Sequence, residues 1–179
     1  YNHLLTHFGL PPMEKEAVDF VHMHTADESI RRIFQGTPHV QEALAYRWEM
    51  DYAPFIRHMV MEPGLKELLG ILKPRFGLAV ATNRSNTIGD VLETHSLRAF
   101  FDIVVSSLDV ENPKPHPEAL LKILDFFKLS PDQALYVGDS AVDYETALGS
   151  GVVFIAYKNR QLEADFHVDS LLDIRDVVG

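Results

Sequence analysis

The chain contains no cysteine. Disulfides and a thiol nucleophile are therefore excluded, and an intracellular, cytoplasmic site is the expectation. No apolar run reaches the roughly 20 residues that a membrane-spanning helix needs, and no stretch reads as a signal peptide. Positive charge is scarce too: 16 Lys and Arg stand against 26 Asp and Glu, a formal net charge of -10. That balance disfavours nucleic acid and anionic membranes as partners. It also means that an anionic substrate would need a local positive centre, supplied by a metal or a lysine. Internal repeats and low-complexity segments are absent. What is there is ordinary for a globular protein: 179 residues, 46% hydrophobic and 23% charged, enough for one domain or for a core with a smaller lobe.

From Tyr1 to about His58 no segment has the pattern of a strand. Leu4, Leu5 and Phe8 have helical spacing, and Gly9 with Pro11-Pro12 stops the run. Tyr1 to Phe8 reads as the body of a helix already under way, so the expectation is that residues precede Tyr1 in the parent protein. Ala17, Phe20, Val21 and His24 mark a second helix. Thr25, with Glu28 three residues on, fits a capping box for a third, which carries Ile30, Ile33 and Phe34. Thr37-Pro38 reads as N-cap and first residue of a fourth, running through Val40, Ala43, Leu44, Arg47 and Trp48 until Pro54 breaks or restarts it. Residues 1–60 are thus expected to form an all-helical lobe.

The pattern changes at Glu62-Pro63-Gly64. Short apolar runs at 77–81, 101–105, 134–137, 152–156 and 166–168 then alternate with helical stretches. This alternation predicts, for residues 61–179, an α/β core with a doubly wound parallel sheet covered on both faces. The run that ends in Gly138-Asp139-Ser140 puts Asp139 at the carboxyl end of the sheet, where open α/β sheets bind ligands. Ser140 is suited to cap the next helix, with Asp143 in its first turn near the positive end of the dipole. Two carboxylates at one sheet edge invite a hard divalent cation, usually Mg²⁺. A helix cap that merely favours its dipole would have the same letters.

Two further places carry candidate chemistry. Thr82-Asn83 closes the strand at Ala79–Ala81, where a hydroxyl and free backbone N–H groups suit a phosphate oxygen. Lys114 lies in Asn112-Pro113-Lys114-Pro115-His116-Pro117, whose prolines stiffen the loop and hold the lysine. His22 and His24, two apart on a helix, lie on different faces and are a poor metal pair.

In order and context these stretches resemble the haloacid dehalogenase superfamily: Thr82-Asn83 as its second motif, Lys114 in Pro-Lys-Pro-His-Pro-Glu as its third, Gly138-Asp139-Ser140 with Asp143 as its fourth. The resemblance is greatest to phosphoglycolate phosphatase-like members with a helical cap, and it covers almost the whole chain. It implies an inserted cap at residues 1–60, Mg²⁺ held by Asp139 and Asp143, phosphate held by Thr82, Asn83 and Lys114, catalytic roles for Thr82 and Lys114, and a small phosphate ester as substrate. One departure stands out. The family's first motif, Asp-x-Asp-x-Thr, occurs nowhere in the chain. In the family it supplies the nucleophile and the general acid/base from a strand just before the cap, so it is expected upstream of residue 1.

A Mg²⁺-dependent phosphatase acting through an aspartyl-phosphate is the leading expectation. A sugar-phosphate mutase of the β-phosphoglucomutase type shares the fold. A dehalogenase needs no metal, so Asp139 counts against it. A non-catalytic homologue follows if the nucleophile motif is absent from the parent protein.

Overall fold

The computed structural model describes all residues, 1–179, which fall into two compact units, Tyr1–Pro54 and Phe55–Gly179. The first unit is helical: α1 (Asn2–His7), α2 (Lys15–Met23), α3 (Ala26–Ile33) and α4 (Val40–Tyr46). Leu4, Leu5, Ile30, Phe34 and Ala43 form its buried centre, with Phe8 and Val40 packed against it. Burial of a side chain such as Phe34, fully enclosed, stabilises by about 1.5–3 kcal/mol relative to exposure. α3 starts as its sequence dictates: the Glu28 N–H donates to Thr25 Oγ1 at 3.3 Å, and the Thr25 N–H donates to Glu28 Oε2 at 3.0 Å. Arg47 is buried, and its guanidinium meets Asp27 at 2.6 Å.

The fourth helix is shorter than the sequence suggests. The Thr37 hydroxyl donates back to the Phe34 carbonyl at 2.9 Å and accepts the His39 N–H at 3.3 Å, so Thr37-Pro38 closes one turn instead of opening the next. At the far end α4 stops at Tyr46, well before Pro54. A separate turn, α5 (Ala53–Ile56), carries Pro54 near its start, where the missing N–H costs nothing.

The second unit alternates helix and strand: α6 (Leu65–Leu72), β1 (Ala79–Ala81), α7 (Ile88–Thr94), β2 (Ile103–Val105), α8 (Glu118–Phe127), β3 (Leu135–Gly138), α9 (Ala141–Ser150), β4 (Val153–Tyr157), β5 (Phe166–Val168) and α10 (Ile174–Val178). All pairing is parallel, and the α/β class is as read from the sequence. The strands form two ladders instead of one: β1 with β2 (Ala79 opposite Ile103), and β3–β4–β5 (Leu135 opposite Val153, Ile155 opposite Phe166). β1 pairs only on its β2 side and β3 only on its β4 side. The same helices nevertheless cover both ladders. On one face the cluster of Leu120, Leu124 and Val152 packs against Ala81 of β1 and Tyr136 of β3. On the other, Leu68, Leu72 and Ile155 pack against Leu78 and Val137.

Candidate active site

At the end of β3 the chain turns through Gly138, Asp139 and Ser140 into α9. The Ser140 side chain caps that helix: Asp143 N–H donates to Ser140 Oγ at 3.2 Å, and Ser140 Oγ–H donates to Asp143 Oδ2 at 2.6 Å. The backbone N–H groups of Ser140 (3.3 Å) and Asp139 (3.4 Å) also point at Oδ2. Asp143 therefore folds back over the strand end. Only glycine leaves room for it at position 138, where a Cβ would lie 2.3 Å from the Asp143 Cβ.

The other oxygen of Asp143, Oδ1, accepts from Lys114 Nζ at 2.6 Å and from the Tyr136 hydroxyl at 2.7 Å, and Lys114 Nζ also donates to the Tyr136 oxygen at 2.9 Å. Both charged partners are nearly enclosed, with side-chain exposures of 11% for Lys114 and 10% for Asp143. Burial acts to raise the Asp143 carboxyl. The Lys114 charge and the bonds from Lys114, Ser140 and Tyr136 outweigh it and hold the group below the ordinary carboxylate range. The Tyr136 phenol is driven well above its ordinary value by burial and by the Asp143 charge, so the hydroxyl keeps its proton.

The loop bearing Lys114 is braced by more than its prolines. Glu118, at the start of α8, accepts the backbone N–H groups of Glu111 and Asn112, each at 2.9 Å. These bonds pull its carboxyl down to about 2. The Lys114–Pro115 peptide is cis. At the end of β1, the buried Asn83 side chain clasps the Lys114 peptide: Oδ1 accepts its N–H at 3.0 Å and Nδ2 donates to its C=O at 2.8 Å. Beside it, the Thr82 N–H donates to the Val105 carbonyl at 3.0 Å and Thr82 Oγ1 accepts the Arg84 N–H at 3.1 Å. Asn83, Lys114 and Asp143 are thus joined by direct bonds. Thr82 and Asp139 are their immediate neighbours in the chain or across the α9 cap.

Asp139 differs from Asp143. Its side chain is exposed, no lysine or arginine binds it, and its carboxyl is pushed above the ordinary range, first by burial of the surroundings and then by the Asp143 charge. Its carbonyl is held by Asn159 Nδ2 at 2.8 Å, from the turn after β4. A carboxylate crowded by another negative group and bonded directly to no lysine or arginine fits a divalent ion. Asp143 fits that role less well, because both of its oxygens are taken by protein donors. No cluster of three or more His, Asp or Glu is poised to enclose a metal. The donor set suits an ion such as Mg²⁺, which keeps waters and shares its remaining positions with substrate oxygens.

Tyr136, Asn159 and Glu118 were not singled out by the sequence. The one signal available was that a tyrosine in a buried strand needs a partner for its hydroxyl. In the helical unit, His24 stacks on Phe20 at 3.8 Å and its Nδ1 meets the Phe20 carbonyl at 2.9 Å, while Thr25 is committed to its cap.

The model of the haloacid dehalogenase-like hydrolases matches residues 1–157. The chain belongs to that family. It is similar to a phosphoglycolate phosphatase of Chromobacterium violaceum, 28% identical over 99% of this chain and 86% of that protein. It is also similar to a pyrophosphatase of Bacillus cereus, 37% identical over 56% of this chain and 50% of that one. Among solved structures, a haloacid dehalogenase-superfamily hydrolase from Geobacter sulfurreducens superposes with a TM-score of 0.80 at 37% identity, covering 100% of this chain and 86% of that one. The family resemblance read from Thr82-Asn83, Lys114 and Gly138-Asp139 is therefore correct, as is the hydrolase class. No helix is long and apolar enough to cross a membrane.

Proposed function

We propose that the chain is the greater part of a Mg²⁺-dependent phosphatase that hydrolyses a small phosphorylated metabolite, such as phosphoglycolate or a sugar phosphate, through an aspartyl-phosphate. The observation that carries this reading is the fixed cation of Lys114 beside two carboxylates of unlike environment at the carboxyl end of parallel strands. Phosphoryl transfer asks for positioning and charge neutralisation more than for bonds from the protein. Relatives that are phosphatases and a pyrophosphatase support the same class of reaction.

In this reading the one Lys114 N–H not taken by Asp143 or Tyr136 goes to a phosphate oxygen while its charge also faces the nucleophile, and the Thr82 hydroxyl and the Asn83 backbone N–H take further oxygens. Asp139 would hold the metal, and Asp143 orients Lys114 through Oδ1. Bound Mg²⁺ would supply positive charge that offsets the repulsion of nucleophile and phosphate. We place the nucleophile on a strand outside residues 1–179, lying between β1 and β3. Each has one unpaired edge, and common helices cover them on both faces. A parallel strand there would end beside Lys114 and Asp139. The carboxylate oxygen would bond to phosphorus as the ester P–O bond breaks and the leaving oxygen gains a proton. Water then attacks phosphorus and releases phosphate, which restores the carboxylate. The helical unit would correspond to the family's cap.

Phosphate release from phosphoglycolate, glucose phosphates and an aryl phosphate, measured with the full-length protein with Mg²⁺ and with chelator, tests the reading. Release that needs Mg²⁺ is expected. Interconversion of glucose phosphates without release would point to a mutase, and no turnover at all to a binding protein.

A further inference from the structure

We propose that Tyr136 is a positioning residue for Lys114: its hydroxyl fixes the direction in which the ammonium faces the phosphate. The proposal rests on the reading of Lys114 as the phosphate-binding cation.

A lysine side chain has four rotatable bonds and a spherical charge, so a fixed backbone does not by itself aim it. Asn83 immobilises the Lys114 peptide from both sides, at 3.0 and 2.8 Å. What freedom is left resides in the side chain. One ammonium N–H goes to Asp143 Oδ1 and a second to the Tyr136 oxygen. The third is left for an incoming group. A single bond to Asp143 would let the ammonium swing about the carboxylate oxygen. The Tyr136 hydroxyl adds a second point of attachment and closes a triangle with sides of 2.6, 2.7 and 2.9 Å. Its only proton goes to Asp143, so the lone pair it turns to Lys114 is set by that bond. β3 holds the ring itself in place against Phe154, centroid to centroid 6.2 Å.

Tyr136→Phe removes the third point and keeps the volume. In the full-length protein, with an aryl phosphate as probe, kcat should fall at least tenfold, since small misplacements of a reacting group cost on the order of 10²-fold, while KM changes little. The same substitution made on top of Lys114→Met should cost nothing more. Tyr144→Phe, which removes an exposed hydroxyl bonded to Glu163, is the control for loss of a tyrosine hydroxyl as such. A second readout is independent of turnover. The ¹⁵N-lysine ammonium signal of Lys114 should exchange slowly with water in the wild type and in Tyr144→Phe, and be lost in Tyr136→Phe.

Normal kcat in Tyr136→Phe together with a crippled Lys114→Met would overturn the proposal and leave the reading of Lys114 standing. A cost for Tyr136→Phe that persists undiminished in the Lys114→Met background would also overturn it, since the hydroxyl would then act on something else. Normal turnover of Lys114→Met would remove the reading and the proposal together. A hydroxyl of structural value alone would lower the melting temperature and leave kcat and the Lys114 signal unchanged.

Discussion

The side chain of Asp143 lies against Gly138 so closely that a Cβ at position 138 would sit 2.3 Å from the Asp143 Cβ and 2.6 Å from its Cγ. A methyl group there must displace the carboxylate that Lys114, Tyr136 and Ser140 share. Gly138→Ala is expected to lower stability by about 1–3 kcal/mol, the range for forcing an extra methyl into a packed site. Urea unfolding measures this, and affinity for inorganic phosphate should fall in parallel because the Lys114 anchor moves.

Asp139→Asn should weaken Mg²⁺ binding, seen by calorimetric titration, and remove most phosphatase activity from the full-length protein. The fold should survive. Asp139 reaches solvent, and its carboxyl is raised by desolvation from the protein around it and by the Asp143 charge, so loss of its charge relieves repulsion. The melting temperature without metal should stay equal or rise. Unchanged metal affinity would remove Asp139 as a ligand.

Glu118 gives the loop a pH dependence of definite sign. Its carboxyl lies at about 2 in the fold against an ordinary 4.5, held there by the N–H groups of Glu111 and Asn112. The unfolded chain binds more protons between those values, so this contribution is full above about pH 4.5 and disappears as pH falls towards 2. Thermal melts across that window should show a steeper acid loss in the wild type than in Glu118→Gln.

Phe34 is fully buried in the helical unit, edge-on to Phe8 with ring centroids 5.5 Å apart. Phe34→Ala should cost about 3–5 kcal/mol in a urea melt of the protein. A loss under 1 kcal/mol would mean that the unit can collapse around the gap.

Much of this was legible in the residues. The strands at Ala79–Ala81 and Val153–Tyr157 read as short apolar runs after turn signals, and Thr25 and Ser140 named the helices they cap. The Thr37-Pro38 signal misled because a threonine hydroxyl can bond backward to Phe34 as readily as forward into a helix. The division into two ladders was hidden, since the run at Leu135–Gly138 has the same composition whether one edge is paired or both. In the site, the grouping of Thr82, Asn83, Lys114 and Asp143 was read from the order of motifs, but the division of labour was not. Two aspartates four apart look alike in sequence. Only packing shows that Asp143 is bound by Lys114, Tyr136 and Ser140 while Asp139 is not. Tyr136 counted as one more apolar strand residue, because a strand of four residues is too short for alternation to say where its hydroxyl points.

If Lys114 neutralises charge during phosphoryl transfer, turnover should collapse in Lys114→Met. The substitution keeps most of the aliphatic length and removes the charge. With the full-length protein, an aryl phosphate and saturating Mg²⁺, the expected result is a fall in kcat equivalent to about 2.7–4 kcal/mol, the loss seen when one preorganised donor is removed. Lys114→Arg should restore only part of it, because a planar fork cannot replace a compact ammonium between Asp143 and Tyr136. Near-normal turnover in Lys114→Met would mean that the Lys114 charge plays no part in the transfer.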